Sequence, residues 1–403
     1  MLKKIAVVGG GPAGMMAAIT AAKTAKVLLF EQNNILGRKL LITGKGRCNV
    51  TNFCSEEELI SQVIHNPKFL YSAFSAFNAY DAYASFEEWG VPLKIERGNR
   101  VFPISDRSSD VRDALKRKAQ EMNVNFIHEK VVEIQQGKII CANNEYSVDA
   151  IILATGGCSY PLTGSTGDGY RMAKKFGHTI VSPEPALVSL IESGSDCAQL
   201  MGLSLKNVRL SIFDLNSRLL YSEFGEMLFT HKGISGPIVL SASSNLKWSD
   251  FPCVASIDLK PALDVDKLDK RLLRDFEENI NKDFSNALDK ILPKKIIPQI
   301  IKRSGIEPHS KVHQITKNQR LNLIQTIKNF KIQIKEKADF SEAIITSGGI
   351  DVSQINPRTM ESKLVPNVYF AGEIIDVDAL TGGYNLQIAY STGYLAGISA
   401  SKE

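Results

Sequence analysis

The chain has 403 residues, a length that predicts two or three domains rather than one. It is 44% hydrophobic, 23% charged and 8% aromatic, which is typical of globular proteins and excludes collagen-like, disordered and disulfide-scaffold classes. The formal net charge of +5 is too small for this length to indicate a nucleic-acid or membrane partner by itself.

Cysteine usage and the lengths of the apolar runs predict the compartment. The cysteines are scattered without the pairs expected of zinc ligands, so we expect reduced thiols, a cytoplasmic location and no metal site. Nothing before the first strand has the pattern of a signal peptide. No apolar run approaches the roughly 18 residues needed to span a bilayer, so we expect a soluble protein without a membrane partner. The six cysteines are Cys48, Cys54, Cys141, Cys158, Cys197 and Cys253.

The chain begins with a predicted strand, a tight glycine turn and a helix. A β-branched run at residues 4–8 is followed at once by Gly-Gly-Gly-Pro-Ala-Gly and then by an Ala-rich periodic segment. The glycines have the G-x-G-x-x-G spacing of a dinucleotide-binding turn, in which the helix N-terminus faces a pyrophosphate. We therefore predict that the pyrophosphate is bound by Gly9, Gly11, Pro12, Ala13 and Gly14.

A second predicted strand, residues 26–30, ends at Glu31. A carboxylate at this point can accept hydrogen bonds from ribose hydroxyls, and it completes the dinucleotide-binding fingerprint. We place the neighbouring Gln32 at the same site. The fingerprint alone does not choose between FAD and NAD.

Two later segments favour FAD. The apolar strand at residues 150–154 ends in Thr155-Gly156-Gly157 and is similar to the second signature of flavoproteins with two dinucleotide-binding domains. The strand at residues 367–371 ends in Gly372-Glu373, and Thr381-Gly382-Gly383-Tyr384-Asn385 opens a helix at residues 386–400. This resembles the third flavoprotein signature, although Glu373 stands where Asp is usual. A helix dipole placed there would stabilise negative charge on a reduced flavin.

A polar, glycine-rich and basic segment at residues 36–52 identifies the family. Its Gly-Arg-Lys at residues 37–39 and Gly-Lys-Gly-Arg-Cys-Asn-Val-Thr-Asn at residues 44–52 closely resemble the BaiN-like family of NAD(P)/FAD-dependent oxidoreductases, which includes aminoacetone-oxidase-like flavoproteins. Further matching stretches lie at residues 154–161, 163–169, 230–237, 346–350 and 372–387, so the resemblance covers essentially the whole chain.

The resemblance implies an α/β fold in which a Rossmann-type FAD-binding domain is interrupted by two inserted domains. Alternating apolar runs at residues 205–213 and 254–259 predict strands, and capped amphipathic segments between residues 264 and 330 predict helices. The predicted domains are the FAD-binding domain at residues 1–185 and 341–403, a β-barrel-like insert at 186–262 and a helical insert at 263–340.

The matched motifs also imply further cofactor contacts. Val131 is predicted to meet the adenine through its backbone, as the corresponding strand does in similar flavoproteins. The candidates on the phosphate and flavin side are Arg38, Lys39, Gly46, Arg47 and Asn49. The returning strand adds Thr155 and Gly156. The candidates toward the ribityl chain and isoalloxazine are Gly372, Glu373, Gly383, Asn385, Leu386 and Gln387.

The catalytic residues stay open at this stage. His231 lies in a glycine- and proline-containing loop and is a candidate proton donor, but a structural loop histidine fits the pattern equally well. Tyr160 and Tyr384 are candidates for the wall of the site, with packing as the alternative. Cys48 and Cys54 are separated by five residues rather than the four of disulfide reductases, so we expect structural thiols rather than a redox disulfide.

No second strand–glycine turn–helix–acid unit follows, which indicates one dinucleotide-binding domain. We predict tightly bound FAD that passes electrons between a small organic substrate or NAD(P)H and an acceptor. NADH or NADPH would bind transiently as reductant, whereas a small-amine oxidase would need no nicotinamide site. The sequence leaves the substrate, the nicotinamide and the oligomeric state undetermined.

A flavin-dependent RNA-modifying enzyme or a redox-sensing nucleic-acid-binding flavoprotein is the alternative. Residues 260–339 contain 18 Lys/Arg and 11 Asp/Glu, and cations on predicted helices could form an anion-binding face. No RNA-binding motif accompanies this surplus, so we expect solvated helix faces and no nucleic-acid partner. The cations concerned are Lys294, Lys295, Lys302, Arg303 and Lys311.

Overall fold

The computed structural model describes residues 2–402 and has a mixed α/β architecture. Backbone contacts divide the chain into two compact units. One, called here the discontinuous unit, comprises residues 1–186 and 339–403, and the other, the inserted unit, comprises residues 187–338. No helix within residues 2–402 is both long and apolar enough to cross a membrane.

The strands of both units are numbered in chain order. They are β1 (Lys4–Val8), β2 (Lys26–Phe30), β3 (Thr51–Asn52), β4 (Val63–His65), β5 (Leu93–Glu96), β6 (Arg100–Pro103), β7 (Asn125–Ile127), β8 (Val131–Gln135), β9 (Lys138–Cys141), β10 (Glu145–Ser147), β11 (Ala150–Leu153), β12 (Ile180–Ala186), β13 (Leu190–Glu192), β14 (Ser204–Phe213), β15 (Leu219–Phe229), β16 (Gly233–Ser235), β17 (Cys253–Asp258), β18 (Phe330–Lys337), β19 (Ile345–Ile350), β20 (Val368–Phe370) and β21 (Asp378–Ala379).

The α-helices are numbered in the same way. They are α1 (Pro12–Ala21), α2 (Arg38–Ile42), α3 (Glu56–Ser61), α4 (Tyr71–Ala76), α5 (Ala79–Glu88), α6 (Ser108–Glu121), α7 (Asp168–Lys175), α8 (Asp196–Gln199), α9 (Pro237–Asn245), α10 (Val265–Glu277), α11 (Ile297–Ser304), α12 (Lys317–Lys328) and α13 (Tyr384–Ser401).

A five-stranded sheet with the order β7–β2–β1–β11–β20 forms the centre of the discontinuous unit, and every neighbouring pair is parallel. Strands β1 and β11 are continuous apolar runs because both faces of a parallel sheet are covered. The carboxyl ends of β1, β2, β11 and β20 therefore lie along one edge of the sheet, where open α/β folds bind ligands. The predicted Rossmann-type fold is confirmed.

Helix α1 follows β1 and is buried from Ala13 to Ala21, because it lies against the sheet on one side and against α13 on the other. Two glycines of α13 permit this contact. A Cβ on Gly393 would lie 2.4 Å from the Ala13 carbonyl oxygen, and one on Gly397 would lie 2.6 Å from that of Ala17. The first and last helices of the chain consequently pack backbone to backbone.

The inserted unit contains a closed barrel of six strands in the order β13–β16–β15–β14–β17–β18. Its strands alternate buried and exposed side chains, as in β18, whose apolar residues point inward. The closing strand β18 lies within the range predicted as a helical insert, 263–340. That prediction was wrong for residues 330–337, because the apolar-polar alternation of Phe-Lys-Ile-Gln-Ile-Lys has the period of a strand.

Candidate cofactor site

The glycine turn between β1 and α1 has the geometry that its spacing predicts. A Cβ on Gly14 would lie 1.8 Å from the Gly9 carbonyl oxygen, so only glycine lets the helix start this close to the strand. At Gly11, in contrast, a Cβ would meet no atom within 4 Å. Helix α1 has no side-chain cap at its N-terminus, and its first N–H groups are thus available to an anion beside Gly11.

Glu31 lies beside this turn at the end of β2. Its Oε2 accepts a hydrogen bond of 2.9 Å from the Gly10 N–H, and its Oε1 accepts bonds of 2.9 and 2.7 Å from the Asn33 backbone and side-chain amides. The Gln32 side chain donates to the Gly164 carbonyl at 2.9 Å. These bonds fix the carboxylate at the sheet edge and tie the loop around residue 164 to the end of β2.

Two predicted contacts, Asn49 and Thr155, carry buried side-chain oxygens without a hydrogen-bond partner among residues 2–402. An unpaired buried acceptor costs about 1–3 kcal/mol, and a ligand with hydroxyl and N–H donors would satisfy both. Together with the open space at Gly11 and the carboxylate of Glu31, these residues fit FAD, which offers a pyrophosphate, two sugar-like chains and ring N–H groups.

Lys39, Ser159 and Glu373 come together from three distant parts of the chain. The Lys39 ammonium lies 2.6 Å from Glu373 Oε2 and 2.5 Å from Ser159 Oγ. Glu373 Oε1 accepts from Ser159 Oγ and from the Thr346 N–H, both at 2.7 Å. Burial works to raise the pKa of Glu373, but the Lys39 charge and these hydrogen bonds outweigh it and lower the pKa below its ordinary value. The carboxylate is therefore ionised, with both oxygens engaged inside the protein.

The start of α13 is held by the segment that carries the family motif. Gly383 has φ of +99°, and a Cβ on it would lie 2.4 Å from the Thr51 backbone. The Asn52 amide donates to the Gly382 carbonyl at 3.1 Å, and the Thr51 hydroxyl donates to Gln387 at 2.6 Å. The N-terminal end of the 18-residue helix α13 is thereby positioned next to residues 49–52.

Two predicted contacts in α13 use their side chains within the protein. The Asn385 amide pairs with the Ala379 N–H and carbonyl at 2.9 and 2.8 Å. Gln387 is completely buried, and its amide donates to the Phe77 carbonyl and to Ser391. These side chains hold the loop before α13 in place. The predicted cofactor contacts of Asn385, Leu386 and Gln387 stay predictions.

Arg47 lies in a carboxylate cluster. Its guanidinium is 2.5 Å from Glu96 and 2.6 Å from Asp106 and stacks on the Phe102 ring at 4.1 Å. The hydrogen bonds to Glu96 and Asp106 raise the pKa of Arg47 further. The predicted flavin contact of Arg47 stays a prediction, since its charge is already paired.

The other predicted residues are distributed over several elements of the two units. Arg38 donates to the Asn33 side chain at 3.0 Å, and Val131 is buried in β8, paired with Cys141 of β9. Gly46, Gly156 and Gly372 all have positive φ angles. His231 is exposed in the loop before β16 of the inserted unit.

Cys48 and Cys54 are both free and buried. Burial raises the pKa of Cys48 to about 12 and that of Cys54 to about 11. Because the thiolate is the reactive form, both thiols are unreactive near neutral pH. The expectation of structural thiols is consistent with this environment.

A cluster that the sequence did not indicate lies where β4 pairs with β21. His65 Nδ1 is 2.5 Å from Asp378 Oδ1, and the Ser347 hydroxyl is 3.3 Å from the same ring nitrogen and 3.2 Å from the same carboxylate oxygen. The His65 side chain is 45% exposed, whereas Asp378 is 1% exposed. Asp378 Oδ2 is buried and has no hydrogen-bond partner within the described part of the chain.

The hydrogen bond to Asp378 raises the pKa of His65 above its ordinary value, with partial burial opposing it and the charges of Asp378, Asp376 and Glu184 adding to it. Burial raises the pKa of Asp376 itself. No local pattern could have revealed this cluster, because its three members lie 31 to 313 residues apart. The pairing of β4 with β21 and the contact of β19 with β21 bring them together.

The basic residues of the inserted unit are partly engaged within it. Arg303 pairs with Asp196 at 2.5 Å and covers the Phe330 ring at 3.9 Å. Lys311 pairs with Asp283 at 2.8 Å, and Lys295 donates to the Met201 carbonyl at 2.5 Å. Three of the five cations considered for nucleic-acid binding thus have intramolecular partners.

Comparisons with known proteins give a consistent result. Residues 3–399 match the family described as HI0933-like protein Rossmann domain. The chain is 30% identical to a 3-dehydro-bile acid delta(4,6)-reductase of Clostridium scindens over all of both proteins. It is 29% identical to a ribosomal RNA dihydrouridine synthase of Haemophilus influenzae over 98% of each chain. The 3-ketosteroid delta1-dehydrogenase of Sterolibacterium denitrificans shares the fold, with a TM-score of 0.52, 12% identity and coverage of 99% and 100% of the two chains.

Proposed function

Because the chain belongs to the HI0933-like family of flavoprotein oxidoreductases, as its motifs predicted, we propose that it is an FAD-dependent reductase of carbon–carbon double bonds conjugated to a carbonyl group. The observation that carries the cofactor assignment is the pair of buried oxygens on Asn49 and Thr155 that have no hydrogen-bond partner among residues 2–402. Each was predicted as an FAD contact from the sequence.

We propose that residues at the sheet edge and at two helix starts would hold FAD. The N–H groups at Gly11 and the start of α1 would bind the pyrophosphate, and Glu31 would accept from the adenosine ribose. Asn49, Thr155 and the N-terminal end of α13 would lie toward the ribityl chain and the ring. Bound FAD would supply hydride transfer, and the positive end of the α13 dipole would favour negative charge on the reduced ring.

The substrate class is supported by the relatives. One relative is named for the reduction of ring double bonds in a bile acid that carries a 3-oxo group. Another is named for the formation of dihydrouridine, a pyrimidine with two added hydrogens next to a carbonyl. Both reactions add a hydride and a proton across a double bond that a carbonyl polarises. We propose the same chemistry for this chain, with NADH or NADPH as the transient source of electrons.

A test begins with the visible spectrum of the purified protein. We expect the absorption bands of bound oxidised flavin, which NADH or NADPH should bleach under anaerobic conditions and a cyclic enone should restore. Restoration by oxygen after bleaching with a small amine would instead identify an amine oxidase. A colourless protein that cannot be reconstituted with FAD would contradict the cofactor assignment.

Reduction of a uracil base in RNA is the second candidate, favoured by the full-length similarity to the Haemophilus influenzae relative. The intramolecular pairing of Arg303 and Lys311 reduces the cationic surface available for this purpose. Incubation of the reduced enzyme with ribosomal RNA and mass spectrometry of the nucleosides distinguishes the two candidates. A gain of 2 Da on uridine identifies RNA as the substrate, and an unchanged RNA with turnover of enones excludes it.

A further inference from the structure

The pairing of β4 with β21 carries His65 to the border of the candidate cofactor site. Asp378 is opposite His65 in this ribbon. The next residue, Ala379, is held by the Asn385 side chain, and Leu380 donates from its N–H to the Gln62 carbonyl at 3.0 Å. His65 is therefore fixed relative to the loop that leads directly into the N-terminal end of α13.

The other side of the cluster joins the Lys39–Glu373 contact. Ser347, which bonds to both His65 and Asp378, follows Thr346 in β19. The N–H of Thr346 donates to Glu373, and its hydroxyl accepts from the Ser159 N–H at 3.0 Å. The imidazole is thus linked through β19 to Glu373 and through β21 to the start of α13, which carry residues predicted to lie toward the isoalloxazine.

Reduction of a conjugated double bond needs a proton donor as well as a hydride. The hydride goes to the carbon farther from the carbonyl, and the carbon next to the carbonyl must receive a proton. A suitable donor is held by one hydrogen bond and has its other proton accessible. His65 meets this description, because the buried Asp378 holds Nδ1 while the ring is 45% exposed.

We propose that His65 is the catalytic proton donor of the reduction, with Asp378 and Ser347 as its positioning residues, an inference that rests on the proposed function. The Nε2–H bond of the imidazolium breaks, and the proton forms a new C–H bond at the carbon adjacent to the carbonyl. The hydride comes from the reduced flavin, which is oxidised as the double bond is reduced. The neutral imidazole then regains a proton from water.

The surroundings favour the protonated form of the imidazole. Three carboxylates face His65 from different elements: Asp378 on β21, Asp376 in the segment before it, and Glu184 on β12. The neutral groups beside it are Ser347 on β19 and the side chain of Asn66, which donates to Asp376 at 3.0 Å. Partial burial opposes protonation, and the hydrogen bond to Asp378 outweighs it.

The experiment compares His65→Asn with wild-type holoenzyme, because asparagine keeps an N–H donor toward Asp378 but cannot deliver a proton. Stopped-flow measurements separate flavin reduction by NAD(P)H from reoxidation by a cyclic enone. We expect unchanged flavin content and flavin reduction, and a reoxidation rate lowered about 100-fold or more. The matched control is His309→Asn, which alters another histidine beside an aspartate, 3.6 Å away and 82% exposed, in the inserted unit. It should leave both rates unchanged.

A second readout does not depend on turnover. NMR titration of the imidazole should show His65 with a pKa above its ordinary value in wild type and a lower one in Asp378→Asn. Reoxidation in His65→Asn within about threefold of wild type, or a wild-type His65 pKa at or below the ordinary value, would overturn the proposal. If wild-type enzyme reduces no enone at all, the proposed function fails, and the titration still decides whether His65 is poised as a proton donor.

Discussion

Two charged pairs in the discontinuous unit join an early segment of the chain to a late one, and they differ in what they leave free. In the Lys39–Glu373 pair both side chains are about one-fifth exposed and both carboxylate oxygens have partners. In the His65–Asp378 pair the acid is buried, one of its oxygens has no partner in the described residues, and the base is nearly half exposed. The Lys39–Glu373 pair is therefore suited to stabilising the fold, and the His65–Asp378 pair is suited to chemistry with a ligand.

The largest loss of stability is expected from Glu373→Ala, which removes the Lys39–Glu373 pair. The change leaves the Lys39 ammonium unpaired and removes the acceptor of Ser159 and Thr346. We expect the free energy of unfolding to fall by about 3–5 kcal/mol, measured by urea denaturation followed by circular dichroism. The control Glu373→Gln keeps an acceptor and should lose less. A loss below about 1 kcal/mol for Glu373→Ala would show that the pair contributes little to stability.

We expect a smaller loss in the free energy of unfolding when the charges of Lys39 and Glu373 are removed together. Lys39→Met alone leaves a largely buried carboxylate without its cation, whereas Lys39→Met with Glu373→Gln leaves no charge and keeps the acceptor of Ser159. The double variant should therefore be more stable than Lys39→Met in the same urea assay. If the double variant lost the sum of the unfolding free energies lost by Lys39→Met and Glu373→Gln, the two residues would not be energetically coupled and this prediction would be wrong.

The two pairs should also respond to pH in opposite directions. The lowered pKa of Glu373 means that its pair stabilises the fold fully above the unfolded value of 4.5 and loses this contribution as pH falls through the folded pKa. The raised pKa of His65 means that its pair contributes fully below 6.5 and is lost as pH rises through the folded pKa.

Asp378→Asn should accordingly lower the free energy of unfolding by less than about 1 kcal/mol, since His65 is nearly half exposed and its charge is screened by solvent. Urea unfolding of wild type and variant at pH 5.5 and pH 9 checks both size and sign. A difference in unfolding free energy that is larger at pH 9 than at pH 5.5 would contradict the assigned direction.

The smallest effect is expected at an exposed pair of the inserted unit, Lys311–Asp283, where the lysine is 49% exposed. Lys311→Ala should change the free energy of unfolding by roughly 0–1 kcal/mol. This variant sets the baseline for the urea assay. A loss as large as that of Glu373→Ala would mean that exposure does not rank these pairs.

Local patterns predicted the parts of the site that lie within one element and its turn. The glycine turn, Glu31 and the start of α13 follow from spacing and apolar periodicity, and the structure builds them as strand, turn and helix. The same kind of signal was present for β18, whose alternation was overlooked among predicted helices. Most secondary-structure elements of this fold can therefore be predicted from the sequence.

Contacts between distant segments could not be predicted in this way. Lys39 and Glu373 were both assigned to the cofactor, but their bond to each other spans 334 residues and has no local signature. Arg47 was assigned to the phosphate and flavin side from the family motif, and its pairing with Glu96 and Asp106 has no local signature either. His65 belongs to no motif, and the register of β4 against β21 places Asp378 beside it.

The packing of α13 on α1 has a consequence for the order in which this protein can be made. Helix α1 emerges from the ribosome early, yet its buried face is covered by residues 384–401, and the same helix brings Gly383 onto Thr51. The apolar side of α1 therefore stays uncovered until residues 384–401 have been synthesised. The glycine turn also waits for the C-terminal part of the chain, because Gly372 packs against Ala13.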